Sequence, residues 1–266
     1  MYASLMASRD IQESPQDAEW GWQEMERLFS QLDSLPTWRD LPIEDGSLFA
    51  IDARIQDYDP ANDQVIFPLG VAMDHLDSFR RMLGDPNGGL SPMSGYTLMR
   101  AAIEAAATAI WLRCSNKANT RVMHSLWMIV HARDDIEGLA TKLGIHNAAG
   151  YKRMRARVDA IIAGRHGLLA SSLERHYTKT TIINEVEKHV PTRLFGCLVA
   201  WQACSGITHS NRTSTLMFLE RETVAQNGSR SLYSMTASAR VTAEVLFVAV
   251  ACVQKASDLY VEHSIA

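Results

Sequence analysis

Apolar residues recur every three or four positions along most of the chain, which is typical of helices that bury one face. A clear example follows Asp59, where Val65, Leu69, Leu76 and Phe79 fall on one helical face. Strict alternation of apolar and polar residues, the pattern of a half-buried strand, is scarce by comparison. The sequence therefore predicts an all-α protein.

Capping signals divide this pattern into seven or eight helices. Ser14-Pro15 and Ser91-Pro92 each combine a capping side chain with a proline that suits the first helical position. Gly144 is of the residue type that commonly ends a helix. The predicted helices cover approximately residues 15–32, 60–83, 92–114, 117–143, 148–163, 180–189, 191–206 and 236–262.

Most connections between these helices are short, so neighbouring helices should run antiparallel, as in a helical bundle. Residues 215–235 are ambiguous, because they could form a small hairpin around Asn227-Gly228 or a mobile loop. We expect one all-helical domain over residues 1–266. In it, the acidic segment 1–60 supplies one helix and wraps around a bundle core formed by residues 61–266.

The charge of the chain is divided unevenly. Residues 1–95 hold 17 acidic and 6 basic side chains, whereas residues 96–266 hold 13 acidic and 20 basic ones. This asymmetry favours packing of the acidic part on the basic part. Alternatively, the basic segment 142–179, with 8 bases and 2 acids, contacts a nucleic acid or another anion.

Cysteine usage and hydropathy indicate a cytoplasmic protein. The four cysteines have no CxxC spacing and lie in apolar helical stretches, so they are expected to be reduced core residues. Residues 1–17 lack the basic and apolar regions of a secretory signal. The longest apolar run, VLFVAVACV, has nine residues and is too short to cross a bilayer.

A charged pair stands out in the helix that contains YTLMRAAIEAAATAIWLRC. This stretch is apolar or small on nearly every side, yet it carries Arg100 and Glu104. At positions i and i+4 the two side chains share one face and can pair. Because buried charges need partners, the pair is either a salt bridge that fixes helix packing or part of a polar site.

Ser205 and His209 form a second candidate group, in the stretch WQACSGITHSNRTS. They are predicted to lie where a helix stops, and helix ends often border clefts. Histidine titrates near neutral pH and suits acid–base chemistry. With Arg100 and Glu104 they complete the candidate catalytic set, although no GxSxG elbow supports serine hydrolysis.

The sequence gives little reason to expect a metal or a cofactor. His124, His131 and Asp135 lie on one helix at helical spacing, but neither HExxH nor paired CxxC motifs occur. The repeated ExxH spacing of di-iron bundles is also missing. No Walker A or GxGxxG motif supports nucleotide binding.

The segments LMRAAIEAAATAIWL and CSGITHS resemble a set of mostly actinobacterial all-helical proteins that are distantly similar to the HEPN superfamily. HEPN bundles occur in toxin–antitoxin systems and in phage defence. The resemblance implies a homodimer and, in some members, metal-independent RNA cleavage by an arginine and a histidine four to six residues apart. Here no arginine precedes a histidine at that spacing, so the usual nuclease motif is absent.

Three functions remain open at this point. The first is a non-catalytic, HEPN-like interaction or regulatory protein that binds a partner protein or a nucleic acid. The second is a metal-independent ribonuclease or toxin that uses Arg100, Glu104 and His209. The third is a helical bundle that binds a small molecule in a cavity walled by Trp111, Trp127 and Trp201.

Overall fold

The computed structural model describes residues 12–84, 90–145, 147–227 and 230–266. Over these ranges the protein is mostly α-helical, with ten α-helices and one two-stranded antiparallel sheet. The helices are α1 (Pro15–Asp33), α2 (Leu48–Ala53), α3 (Ala61–Leu83), α4 (Ser94–Arg113), α5 (Ala118–Leu143), α6 (Ala148–Ala163), α7 (Lys179–Val186), α8 (Cys197–Thr208), α9 (Arg212–Phe218) and α10 (Ala239–Ser264). The strands are β1 (Leu219–Asn227) and β2 (Arg230–Ala237).

Two short helices, α2 and α9, raise the number of helices above the predicted seven or eight. Both lie in stretches rich in turn residues, which obscure the helical pattern. α9 begins where it does because the side chain of Asn211 accepts hydrogen bonds from the backbone amides of Thr213 and Ser214, at 3.0 and 3.2 Å.

Helix α8 also differs from its prediction. It begins at Cys197 rather than at Pro191 and continues through Gly206 to Thr208. Ser205 therefore lies inside the helix and not at its end. His209 occupies the position immediately after the last helical residue.

Helix α4 is central to the packing, as its apolar composition predicts. It contacts α3, α5, α7, α8 and α10. Buried alanines such as Ala102, Ala106 and Ala107 allow these neighbours to approach closely. The first turn of α4 lies beside the last turns of α3, since a Cβ atom on Gly95 would be 2.8 Å from the ring of Phe79. The two helices therefore run in opposite directions.

Helix α1 packs along the start of α10 at very short range. A Cβ atom on Gly21 would lie 2.4 Å from the backbone carbonyl carbon of Ala239, so only glycine fits at this crossing. The rest of the contact is apolar, and Met25, Leu28 and Phe29 are buried. The acidic N-terminal part is thereby attached to the core.

Ion pairs join the acidic N-terminal part to the basic remainder, as the charge asymmetry predicts. Four N-terminal carboxylates take part, namely Asp17 with Arg240, Glu24 with Arg193, Asp52 with Arg113 and Arg121, and Asp57 with Arg157. Of these arginines only Arg157 belongs to the basic segment 142–179. Lys152 and Arg153 of that segment are exposed on α6.

The ambiguous segment 215–235 contains a β-hairpin, preceded by α9. β1 and β2 pair antiparallel from Leu219 opposite Ala237 to Asn227 opposite Arg230, with one irregularity after Thr223. Of the predicted turn at Asn227-Gly228, position 228 lies outside the described residues. Residues 1–11 of the N-terminal segment, where the sequence predicts no secretory signal, lie outside them too.

A helix must be both long and apolar to cross a membrane. In the described ranges, no helix meets both conditions.

Candidate functional site

A cleft of about 650 Å³ opens between α3, α4 and α5. Its floor is formed by α4, where Ala101 and Ala105 are too small to fill the space between the flanking helices. The walls on α3 and α5 are largely apolar and comprise Phe67, Pro68, Val71, Met128, Ile129, Ala132 and Ile136. The volume is that of a pocket for a small organic molecule.

Two large apolar side chains of the cleft face solvent. Phe67 on α3 is 75% exposed, and Ile136 on α5 is 53% exposed. Exposed apolar surface is unfavourable in water and commonly marks a binding surface when it is contiguous with a groove. Both side chains would lose exposed surface if the cleft were occupied.

Arg100 and Glu104 pair as predicted, and they lie at this cleft. Arg100 Nη2 is 3.3 Å from Glu104 Oε2, and both side chains are 23% exposed. Glu104 also accepts a hydrogen bond from Trp201 Nε1 at 3.2 Å, and Lys179 Nζ lies 3.7 Å from its other oxygen. The guanidinium of Arg100 stacks over the Trp201 ring at 5.3 Å. The pair is thus partly buried at a cleft and not enclosed in the core.

Three buried polar atoms of cleft residues have no hydrogen-bond partner among the described residues. They are the Nε atoms of Arg100 and Arg133 and the Oε1 atom of Gln64. The Nη2 atom of the same Arg133 guanidinium is paired, 3.3 Å from Glu137 Oε1. A buried donor or acceptor left unpaired costs about 1–3 kcal/mol.

Carboxylates of the cleft lie near the start of α3, where Gln64 contacts Ser125 of α5. Gln64 Nε2 donates to Ser125 Oγ at 2.8 Å and to the backbone oxygen of Asp59 at 2.7 Å. The side chains of Asp59 and Asp63 both line the cleft. Burial, and then the neighbouring charge of Asp63, raise the pKa of Asp59 above its usual value.

The fully buried charge of α4 is Arg113, in the last turn of the helix, and no pattern in the sequence identified it. Arg113 and Arg121 both bond the carboxylate of Asp52, at distances from 2.7 to 2.9 Å. Arg113 Nε also donates to His263 Nδ1 at 2.9 Å. The four side chains are at most 4% exposed. They join α2, α4, α5 and α10 in the interior, where no substrate can reach them.

Burial determines the protonation of this cluster. Loss of solvent lowers the pKa of Arg113 to about 10, while Asp52 opposes the effect. Burial, followed by the charges of Arg113 and Arg121, lowers the pKa of His263 to about 3. His263 is therefore neutral at physiological pH and can accept the hydrogen bond from Arg113.

Ser205 and His209 are not among the residues that line the cleft. The hydroxyls of Thr97 and Thr208, 3.2 Å apart, hold the end of α8 beside the first turn of α4. Thr97 and Glu104 are seven positions apart on α4. Since His209 follows Thr208, it lies roughly 10 Å from Glu104 along the axis of α4. His209 is exposed. The structure brings together two of the four candidate catalytic residues.

The tryptophans expected to wall a cavity also do not line the cleft. Trp111 is fully buried and stacks on His124 with 3.7 Å between ring centroids. Trp127 packs edge-on against Trp111 and donates to the backbone oxygen of Arg175 at 2.7 Å. Trp201 acts instead through its hydrogen bond to Glu104. The cleft is walled by aliphatic side chains, Met128 and Phe67.

The histidines of α5 are engaged with backbone oxygens. His124 Nδ1 is 2.9 Å from the oxygen of Trp111, and His131 Nε2 is 3.2 Å from that of Leu173. Burial lowers the pKa of His124. Within the described part of the chain, no three His, Cys, Asp or Glu side chains are arranged to hold a metal ion.

Comparison of the chain with protein-family models, with curated proteins and with solved structures found no significant match. The resemblance to the HEPN superfamily therefore stays an expectation from sequence. The geometry defines a mostly α-helical protein with a cleft between three helices.

Proposed function

We propose that the protein binds a small amphipathic molecule in the cleft between α3, α4 and α5. The observation that carries this proposal is the combination of exposed apolar walls with a partly exposed ion pair, Arg100 with Glu104, in one groove. Small-molecule sites are typically clefts of roughly 300–1,000 Å³ with apolar walls and a few polar groups that fix orientation. The cleft has a volume in this range, apolar walls and a few polar groups.

Glu104 has a positioning role in this proposal. Its oxygens contact Arg100, Lys179 and the indole nitrogen of Trp201, and the Trp201 ring also lies under the guanidinium of Arg100. These contacts hold Arg100 in place before any ligand arrives. A preorganised polar group loses less conformational entropy on binding than a free one.

The uncharged fluorophore N-phenyl-1-naphthylamine tests the proposal, because its emission rises on transfer from water to an apolar site. We expect saturable binding by the wild-type chain. The Ala105→Phe variant fills the floor of the cleft and should weaken this binding at least tenfold. Ala160→Phe places the same side chain on the exposed face of α6 and should leave binding unchanged. Equal binding by a folded Ala105→Phe variant would refute the proposal.

Self-association through α5 is a second candidate, and it corresponds to the dimeric interaction protein expected from sequence. Ile136, Leu139 and Leu143 recur at helical spacing and are between 53% and 62% exposed. A solvent-facing apolar stripe of this kind is typical of an interface between chains. Light scattering should give twice the 29.6 kDa mass of the chain, and Leu139→Lys with Leu143→Lys should give a monomer.

The ribonuclease alternative has less geometric support. Arg100 and Glu104 line the cleft together, whereas His209, exposed at the end of α8, does not line it. Acid–base catalysis needs its groups within hydrogen-bond reach of one substrate. A shared reaction centre would therefore require a substrate that spans both positions.

A further inference from the structure

We propose that the molecule bound in the cleft carries an oxyanion, and that this group pairs with the guanidinium of Arg100. Lys179, which shares the carboxylate of Glu104 with Arg100, supplies a second positive charge at the cleft. This inference rests on the proposed function, because it names the chemical class of the ligand in the same cleft. It is tested separately below.

The contacts of Arg100 leave its charge only partly balanced. Its Nη2 atom lies 3.3 Å from Glu104 Oε2, the side chain is 23% exposed at the cleft, and the same carboxylate also faces Lys179. Guanidinium groups do not lose their proton in proteins, so this positive charge cannot be removed by titration. Hydrogen bonds from a guanidinium to an oxyanion are about twice as strong as those between neutral groups.

The local charge balance favours the same ligand. Glu104 is shared by Arg100 and Lys179, so one carboxylate faces two cations at this point of the cleft. The cluster keeps an excess positive charge, which a ligand anion would neutralise. Trp201 Nε1 also donates a hydrogen bond to Glu104 Oε2, so Arg100 shares that oxygen with a second donor.

The carboxylates of the cleft do not cancel this preference. Asp59 lies just before α3, whose first turn contacts Ser125. Helix α4 runs opposite to α3, so Arg100, near the start of α4, lies closer to the later turns of α3. Burial, and then the charge of Asp63, raise the pKa of Asp59 above its usual value. An anion therefore has one favourable end of the cleft, beside Arg100.

The remainder of the ligand should be apolar. Phe67, Val71 and Ile136 line the same cleft and offer carbon surface without polar groups. Burial of such surface contributes about 25 cal/mol per Å². A molecule with an acidic head and a hydrocarbon or aromatic body would meet both requirements.

Two fluorophores with the same ring system separate this inference from the proposed function. N-Phenyl-1-naphthylamine is uncharged, and 8-anilino-1-naphthalenesulfonate adds one sulfonate. Arg100→Gln should weaken binding of the sulfonate at least tenfold and change binding of the uncharged compound less than twofold. Arg80→Gln removes the same charge from α3 at a site paired with Asp33, and should affect neither compound.

Three outcomes of these binding measurements would contradict one of the two proposals. Equal weakening of both fluorophores by Arg100→Gln would overturn the inference, because the side chain would then only maintain the shape of the cleft. Unchanged binding of the sulfonate by this variant would overturn it as well. Failure of the wild-type chain to bind the uncharged compound would refute the proposed function itself.

Competition distinguishes the kinds of oxyanion. Decanoate and decyl phosphate should both displace the sulfonate fluorophore from the wild-type protein, at concentrations at least tenfold lower than decanol. Displacement by decanoate alone or by decyl phosphate alone would assign the head group and still support the inference. Displacement by decanol as effective as by both anions would contradict it.

Discussion

At the scale of single residues, the most deeply buried charges of the described chain are those of Asp52, Arg113 and Arg121, each at most 2% exposed. One carboxylate serves two arginines, and the neutral ring of His263 takes a further donor of Arg113. Removal of one member leaves a charge without compensation in a medium that solvates it poorly. The cluster should therefore be sensitive to single substitutions, although it lies far from water and from any ligand.

Asp52→Asn tests this sensitivity. The variant leaves Arg113 and Arg121 buried without a counter-charge, and we expect it to lower the free energy of unfolding by about 3–5 kcal/mol. Asp33→Asn removes a carboxylate from an exposed pair with Arg80 and should cost less than about 1 kcal/mol. Urea denaturation monitored by circular dichroism measures both. Similar losses for the two variants would argue against an energetic role for the buried cluster.

The protonation of His263 predicts how stability changes with pH. Its pKa is about 3 in the folded protein and about 6.5 in an unfolded chain, so only the unfolded chain binds the proton between these values. The stability contributed by neutral His263 is complete above pH 6.5. It is lost as the pH falls, by up to about 1.4 kcal/mol per pH unit.

Denaturation curves between pH 7 and pH 4.5 measure this effect. His263→Gln removes the titrating group and should give a shallower decline in stability than the wild-type chain. His209→Gln changes an exposed histidine at the end of α8 and should reproduce the wild-type slope. A His263→Gln slope as steep as that of the wild type would contradict the assignment.

At the scale of helices, close approach between elements is determined by small residues. Gly21 brings α1 against the backbone of α10 at Ala239, and Ala101 with Ala105 leaves the space that becomes the cleft. The sequence identified α4 as alanine-rich and central. It could not indicate which alanines face another helix and which face solvent, because that depends on neighbours far away along the chain.

Two glycine substitutions measure these approaches. Gly21→Ala places a methyl group against the backbone of Ala239 and should destabilise the protein by more than about 2 kcal/mol, since backbone atoms cannot move aside cheaply. Gly138→Ala on α5 meets no atom within 4 Å and should stabilise by about 0.5–1 kcal/mol. Thermal unfolding compares the two. A neutral Gly21→Ala would show that α1 does not lie this close to α10.

At the scale of the whole molecule, the sequence predicted the helical character of the fold and most helix positions. It also predicted the pairing of Arg100 with Glu104, because residues four apart on a helix share a face. Arg133 and Phe67 were not connected with that pair, since α3, α4 and α5 meet only in the folded protein. Asp52 and Arg113 are 61 positions apart, and no local pattern links them.

A crystal structure of the chain with 8-anilino-1-naphthalenesulfonate tests the central claim most directly, since it locates the bound molecule. The account predicts that the rings lie between Phe67 and Ile136 and that a sulfonate oxygen lies within hydrogen-bond distance of the Arg100 guanidinium. An empty cleft, with the fluorophore bound at another surface of the protein, would contradict it.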